Sequence, residues 1–457
     1  ISQIKIADEM LTEEAEDLIS NLPVVIRQRI LCFVPIELAI KTSLLSKRWR
    51  HVWCDIPSLS LKANTLTADS INKTLALYTA PKMKSFHLLI SPIKKNIPYI
   101  DTWIKFAMSR NVENLSLDVR RPYYEEYKLP DFFYNSSSFK QLNIKFTQKM
   151  VMECRYGSSW VSLQKLLLSF CSLSDESMAK ILSGCPILEY LRLYHCSRLK
   201  VLDLSKSLRL RTLEVNRNLK TRGPRQIVAP HIHCLRLLDS MRSCTLVDVA
   251  SLTEAKLDIC YVPTNKPFFE FTQPGFLQLQ VKVLEMLEKL QNAEKLTFGS
   301  NFIQILSLAE IRGVYFPMLK VKSLTLDTVI SQYVIPGIQR QLQNSPDLEK
   351  LVVGGRTSSK AIPEHHLDQY LKSQSLKLDQ CWRSSKDGFK WNTSCWYVQP
   401  KHVTAFVELV LEKTEKSDKM VLLLDKRYLK SYIEDLTATL AHNNNVIIGP
   451  LPPTSQW

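Results

Sequence analysis

Glycine is scarce, at 11 of 457 residues. Loops that cradle phosphates need glycines in clusters, and the chain has no glycine-rich phosphate loop, no Gly-x-Ser-x-Gly elbow and no His-Glu-x-x-His pair. Long apolar runs are missing too, none approaching the roughly 18 residues needed to span a bilayer. The cysteines, 11 and therefore odd in number, are scattered without close pairs, which argues for reduced thiols in the cytoplasm or nucleus. In that setting the sequons at Asn72 and Asn392 carry no meaning. No block of five or six like charges occurs although the formal net charge is +16. A dispersed basic surface draws acidic partners without naming one. These absences exclude a membrane protein, a disulfide-stapled domain and the common catalytic motifs, so the chain reads as non-enzymatic.

What is present is a globular composition, 45% hydrophobic and 23% charged. The chain opens on Ile1, so a missing signal peptide says little, and residues 1–16 form an acidic tail. Metal-ligand candidates are thin. His231, His233 and Cys234 would alternate across a strand, and His365, His366, Cys381 and Cys395 match no zinc spacing. No cofactor is expected.

Residues 17–61 read as three short helices. On a helix at about 100° per residue, Leu22, Ile26, Ile30, Phe33 and Val34 share one stripe while Val24 and Leu31 lie opposite. Two apolar surfaces on one helix imply that one of them meets another chain or the following domain. A second helix starts after Pro35 with Glu37 in its first turn. The third, within "TSLLSKRWRHVW", places Leu45, Trp49, Val52 and Trp53 on one face and Lys47, Arg50 and His51 on the other. Nucleic-acid binding would interleave rings with cations on the exposed face, and both tryptophans fall on the apolar side.

Beyond residue 61 a phrase recurs, apolar-x-x-apolar-x-apolar. It starts at Met83, Val112, Phe139, Leu163, Leu188, Leu210, Ile232, Leu252, Ala293, Val321 and Leu348, with separations of 29, 27, 24, 25, 22, 22, 20, 41, 28 and 27 residues. These are leucine-rich-repeat lengths, apart from one long gap near "NKPFFEFTQPGFLQ" that holds an irregular unit or an insertion. Each phrase predicts a short parallel strand. Three positions past the last apolar residue such repeats hold an inward Asn or Cys, and here those positions carry Cys171, Cys196, Asn218, Cys260 and Asn301, with Ser91 and Ser240 as weaker matches. The stretch Cys171 to Cys196 shows one whole unit, with Ser174 as helix cap, Asp175 and Glu176 in the first turn, and Met178, Ile181 and Leu182 facing inward. Strands would line a concave face and helices or irregular turns the convex one. Lys145, Tyr190, Arg192, Tyr194, Glu214, Asn216, Arg236, Lys256, Asp258 and Lys295 would then be exposed on the concave side. Tyr and Arg near its centre suit protein recognition, so Tyr190, Arg192, Tyr194, Glu214, Asn216, Arg236 and Lys256 are the candidate substrate-binding residues.

The N-terminal segment resembles the F-box in its entry "DLISNLP", in "RIL" at Arg29 to Leu31, in Pro35 after the first helix, and in "TSLLSKRWRHVWCDIPSL". The resemblance implies that this module docks on a Skp-type adaptor and through it on a cullin-RING scaffold. Carried over by position, Leu22, Pro23, Ile30, Leu31 and Val34 would line the adaptor interface, with Leu45, Ser46 and Trp49 shaping its other side; Lys47, Arg48 and Arg50 would be a basic flank. The expected organisation is α/β: an acidic tail at 1–16, a three-helix F-box at 17–61, leucine-rich repeats at 62–360 and a helix-strand cap at 361–457. That cap is similar to the C-terminal FBD-like region of plant F-box proteins with leucine-rich repeats. The implied function is a non-catalytic substrate receptor of a Skp-cullin-F-box ubiquitin ligase, cytoplasmic or nuclear, presenting an unidentified protein target. The alternative is a basic repeat scaffold that binds nucleic acid or an anionic small ligand, as a hormone or inositol phosphate co-receptor would; no motif supports either ligand, and no membrane partner is expected.

Overall fold

Each of the eleven phrases becomes a strand that begins two residues after the phrase does. In the computed structural model the described residues are 19–62, 66–90, 98–119, 127–217, 223–240, 244–260, 273–355, 361–376, 403–408, 419–424, 430–440 and 446–450. They fall into two compact units, one of residues 1–125 with 129–148, the other of residues 126–128 with 149–457.

In the first unit, helices α1 (Val24–Leu31) and α2 (Ile36–Lys41) each follow a proline, Pro23 and Pro35, standing just ahead of the first turn. Proline fits there because its fixed φ suits helix entry and the missing N–H is one the helix would leave unpaired. The third helix expected over Thr42–Trp53 is not regular. Thr42–Leu44 and Val52–Asp55 are 3-10 turns joined by irregular turns. Its backbone bonds close over three residues, as in Trp49 N to Ser46 O at 3.1 Å and Val52 N to Trp49 O at 3.3 Å. Tighter winding stacks positions three apart, and Trp49, Val52 and Trp53 all go inward.

Strands β1 (Ser58–Lys62), β2 (Ser85–Ile90), β3 (Asn114–Val119) and β4 (Gln141–Val151) then run parallel in that order. Strand β1 spans the boundary expected between residues 61 and 62. It carries an unread copy of the phrase, "IPSLSL" from Ile56, 27 residues ahead of Met83. Helices α3 (Ala68–Leu77) and α4 (Ile100–Ser109) form the return connections; α3 is capped by Thr67 Oγ1, which accepts from Ser70 N at 3.2 Å, and α4 buries Ile100, Trp103, Ile104 and Ala107.

The second unit continues the pattern with β5 (Lys165–Ser172), β6 (Tyr190–Tyr194), β8 (Thr212–Asn216), β10 (Cys234–Ser240), β12 (Glu254–Cys260), β13 (Lys295–Gly299), β14 (Ser323–Thr328), β15 (Lys350–Gly355), β16 (Lys419–Leu424) and β17 (Val446–Pro450), neighbours parallel throughout. Along each strand the phrase leucines are buried and the residues between them open outward; Leu191 and Leu193 are core while Arg192 is not.

Repeat length decides what returns the chain to the next strand. The 25-residue unit has room for α5 (Asp175–Ser183), capped as expected by Ser174, with Met178 and Ile181 buried and Leu182 only half-buried. The three units of 20 to 22 residues are too short for a helix with two loops. They fold back instead as β7 (Val201–Asp203), β9 (Gln226–Val228) and β11 (Thr245–Asp248), a second parallel sheet that the sequence reading had not resolved. The 41-residue gap accommodates the 17-residue helix α6 (Gln273–Lys289).

Helix α7 (Ser300–Ile311) is buried from Ser300 to Ala309 on every side. Helices α6 and α8 (Ile335–Gln343) flank it, the sheet lies beneath, and the segment leading into α9 (Glu364–Ser373) crosses over it. That crossing is hydrogen-bonded: Ile362 N donates to Asn301 Oδ1 at 2.8 Å, and Gln304 Nε2 donates to Ile362 O at 3.2 Å. Tyr370 of α9 reaches α6, its ring centroid 5.0 Å from that of Phe276 and its hydroxyl 2.9 Å from Gln280 Nε2. Part of the expected C-terminal cap is therefore an outer layer, while β16 and β17 extend the ladder; helical residues 403–408 and α10 (Lys430–Leu440) complete the described part.

Candidate functional site

Two surfaces stand out, one in each unit. The first is apolar. Around α1 and α2 the side chains of Phe33, Leu44 and Leu45 are 83%, 85% and 73% exposed, and Val24, Val25, Ile26, Ile30, Val34 and Leu38 are also open to solvent. A module that leaves so many large apolar groups uncovered within about forty residues has a partner surface.

The expected adaptor contacts separate into two sets. Pro23, Ile30, Val34 and Leu45 are exposed and Leu22 and Ser46 are half-buried, whereas Leu31 at 2% and Trp49 at 5% are core. Leu31 and Trp49 therefore support the surface from beneath. Trp49 Nε1 donates to Ser20 Oγ at 2.7 Å, and the Arg27 guanidinium lies 5.8 Å from the Trp49 ring centre. Arg27 also donates to the backbone oxygens of Leu22 and Arg48, and Arg48 donates to Asn21 Oδ1. Arg48, read as part of a basic flank, thus ties the entry segment to the turns. Val24, Val25, Ile26, Phe33, Leu38 and Leu44 are open apolar residues that a list built on motif position leaves out; the available signal for Ile26 and Phe33 was the stripe they share with Leu22, Ile30 and Val34. Behind this surface a cavity of about 150 Å³ is lined by Leu31, Val34, Ile36, Leu59, Ser60 and His87 among others.

The second surface is the open face of the ladder. Register brings Arg192, Glu214, Arg236 and Lys256 side by side on β6, β8, β10 and β12, with Tyr194 beside Asn216 on the next row. Glu214 sits between two guanidinium groups, 3.4 Å from Arg192 Nε and 2.7 Å from Arg236 Nη1. Burial, then its hydrogen bond to Glu214, pushes the Tyr190 hydroxyl up to about 12. All seven candidate substrate-binding residues therefore fall on four adjacent strands. Lys145 belongs to the other unit, where it pairs with Asp118 at 3.3 Å, and Lys295 is exposed on β13.

Asp258 is not the free surface carboxylate expected. Its Oδ1 accepts from Ile259 N at 2.8 Å and from Phe302 N, in the first turn of α7, at 3.3 Å. Burial pushes its carboxyl up to about 7 against those two hydrogen bonds. Gly299 makes the approach feasible, because a Cβ there would stand 2.0 Å from Asp258 Cγ.

The inward turn positions hold where they are described. Cys171 and Cys196 are buried thiols, and Asn301 donates through Nδ2 to Ile259 O at 2.7 Å. Burial, then the neighbouring Cys196, holds the Cys171 thiol well above its ordinary value. Asn218 and Ser91 lie outside the described residues, as do the side chains of Cys260 and Ser240. The residues just before the two cysteines, Phe170 and His195, have φ of 57° and 51°. A left-handed conformation costs such residues about 1–2 kcal/mol, and here it turns each cysteine inward. It also brings Phe170 and His195 into an aromatic group with Tyr194, at centroid separations of 5.4, 5.2 and 4.1 Å. Neither was singled out by the sequence reading; adjacency to the turn cysteines was the available signal.

Among the described residues no three histidine, cysteine or acidic side chains converge as a metal site. His231 and His233 precede β10 in a turn and contact backbone oxygens, Ser205 O and His231 O, each at 3.2 Å. Cys381 and Cys395 lie outside the described residues. Among those residues also, no helix is long and apolar enough to cross a membrane.

Comparison with known proteins agrees with this geometry. The F-box domain model matches residues 19–61, and the model described as "FBD-associated F-box protein At5g56370, LRR repeats" matches residues 100–280. The Arabidopsis thaliana F-box/LRR-repeat protein At3g03360 is 47% identical over 95% of this chain and 91% of its own length. The F-box/LRR-repeat protein At5g02910 of the same plant is 45% identical over 94% of each chain, and At3g18150 is 54% identical over 95% of this chain and 92% of its own. With a module that exposes an apolar face ahead of a ladder of parallel repeat strands, the chain belongs to the F-box/LRR-repeat protein family of plants.

Proposed function

We propose that the chain is the substrate-recognition subunit of a Skp-cullin-F-box ubiquitin ligase, acting in the cytoplasm or nucleus. The exposed apolar surface around Phe33, Leu44 and Leu45 carries this reading, because a Skp-type adaptor is the partner that an F-box takes and such a surface is unstable in water without one. The open face of the ladder would hold the target. Its contribution to ubiquitin transfer is to keep target lysines near a charged ubiquitin enzyme, raising effective concentration while other subunits do the chemistry.

Co-purification with a Skp-type adaptor tests the docking half. The wild-type chain should retain the adaptor, and both Leu22→Ala/Pro23→Ala and Phe33→Glu/Leu45→Glu should lose it, with unchanged melting temperatures to show that the module still folds. A wild-type chain that fails to bind, or variants that bind as well as it does, would overturn the proposal.

A further inference from the structure

The cavity behind the adaptor face has two unlike walls. One is apolar, made of Leu31, Ile36, Ile56 and Leu59, each 3% exposed or less, with the more open Val34 beside them. The other is polar, with Ser58 and Ser60 of β1 facing Ser85 and His87 of β2, all half-buried on the open side of the ladder. Cys32, from the turn between α1 and α2, completes the lining. The space therefore lies between the docking helices and the first two repeat strands, within the first unit. Burial lowers the His87 imidazole below its ordinary value and raises the Cys32 thiol, so both are neutral at physiological pH and no wall group is charged. The outward rows that run on from the cavity, Ser58–Ser85–Asn114–Gln141 and Ser60–His87–Ser116–Asn143, are uncharged as well. Charge first enters in the third row, at Lys62, Asp118 and Lys145.

The polar wall has hydrogen bonds to give. Ser60 Oγ and His87 Nδ1 are 3.2 Å apart, and whichever of them donates, the pair keeps one further donor and one further acceptor. Ser85 Oγ accepts from Asn114 Nδ2 at 3.3 Å and retains its own proton. Size narrows the occupant. An apolar cavity of about 150 Å³ holds one benzene ring, and this one has that volume. We infer that the cavity is a binding site for a small neutral molecule, a single six-membered ring bearing one hydroxyl or comparable group. The ring would rest on Leu31, Ile36 and Leu59 and the polar group on Ser60 and His87. An adaptor side chain is the rival occupant. It fits less well, because half of the wall belongs to strands of the ladder and not to the helices that present Phe33, Leu44 and Leu45. A bound ring touches α1, α2, β1 and β2 together, and so braces the docking helices against the ladder. The inference goes beyond the docking proposal and does not depend on it.

The test follows 4-fluorophenol, fluorobenzene and 4-fluorobenzoate by fluorine NMR against the full chain, alone and bound to its adaptor. The phenol should bind saturably and ahead of fluorobenzene, and the benzoate should not bind, since its carboxylate finds no cation in the wall. Ser60→Ala with His87→Leu should weaken the phenol by about two- to tenfold, the worth of one neutral hydrogen bond, and leave fluorobenzene unchanged. Cys32→Phe, which fills the space, should abolish binding of both. Thermal melts alongside confirm folding, and Cys32→Met serves if the larger side chain melts early. Phenol binding that is absent, matched by the benzoate, or indifferent to either set of substitutions would overturn the inference. So would its loss when the adaptor is bound, which would mark the cavity as a socket for an adaptor side chain. The free chain scores the site even where docking fails, so the two failures are seen separately.

Discussion

Asp258 is held between burial, which favours its neutral form, and two backbone amides, which favour the charged one. Burial wins. An unfolded aspartate titrates near 3.9, while this one titrates at about 7 in the folded chain, so between those values the folded state holds the extra proton. Its contribution to stability is therefore greatest below about pH 4, declines as pH rises through 7, and is flat beyond. Glu364, also pushed up to about 7 by burial and then by Asp368, adds a second contribution of the same sign. Urea midpoints at pH 5 and pH 8 should show wild type weaker at the higher pH, and Asp258→Asn should shrink that difference by removing one of the two groups. An unchanged difference would show that the carboxyl does not titrate as stated. The strand alternation that places Asp258 outward is visible in sequence. What alternation does not carry is the descent of a later helix onto it, which depends on Gly299 having no side chain.

Among the elements, strands were the most legible because a leucine-rich repeat writes the same burial pattern each time; all eleven predicted strands are present, and β1 was overlooked only because its phrase falls inside the N-terminal module. Helices were less legible. The second helix was read correctly from Pro35, the first was read across Leu22 to Val34 but is confined to Val24–Leu31, between Pro23 and a turn, and the third was read as α because Leu45, Trp49, Val52 and Trp53 also fit a period of 3.6. Three-residue closure buries the same tryptophans, so burial alone did not separate the two geometries. The backs of the repeats follow from length: long units hold helices and short ones a second sheet. Helix α7 was the least legible, since a helix buried on all sides, polar residues included, shows no stripe that says what covers it. Its Asn301 links β12 to the crossing segment, through Ile259 O and Ile362 N. Replacing Asn301 with alanine takes the side-chain donor from Ile259 O, at about 1–3 kcal/mol, and leaves Ile362 N only its longer bond to Gln304 Oε1 at 3.2 Å. Hydrogen exchange should then rise first at Ile362 and along α9. Exchange that rises uniformly or not at all would argue against this link.

For the molecule as a whole, a solenoid is ordinarily stabilised by contacts between adjacent repeats, which lets its ends fray independently. The second unit departs from that rule. Tyr370 and Gln280 join helices 90 residues apart in sequence, passing over a helix that belongs to the repeat between them. Removing everything after Gly355 should therefore loosen residues 273–343 together with the last strand. Limited proteolysis should cut such a truncated chain within that span while the full chain resists there; equal resistance would mean that the crossing adds no cover. The family was legible from the N-terminal motif and the repeat phrase, whereas the outer layer was not, because its partners are far apart in the chain. The crossing also bears on synthesis. When α7 leaves the ribosome, the residues that shield its outer side are about fifty codons away, which at 5–20 residues per second is roughly 3–10 s. For that interval a helix that the folded protein buries on every side has one flank bare, its Asn301 and Gln304 without their Ile362 partner, so the nascent chain is a natural client for holding chaperones between the translation of Ile311 and that of Ile362.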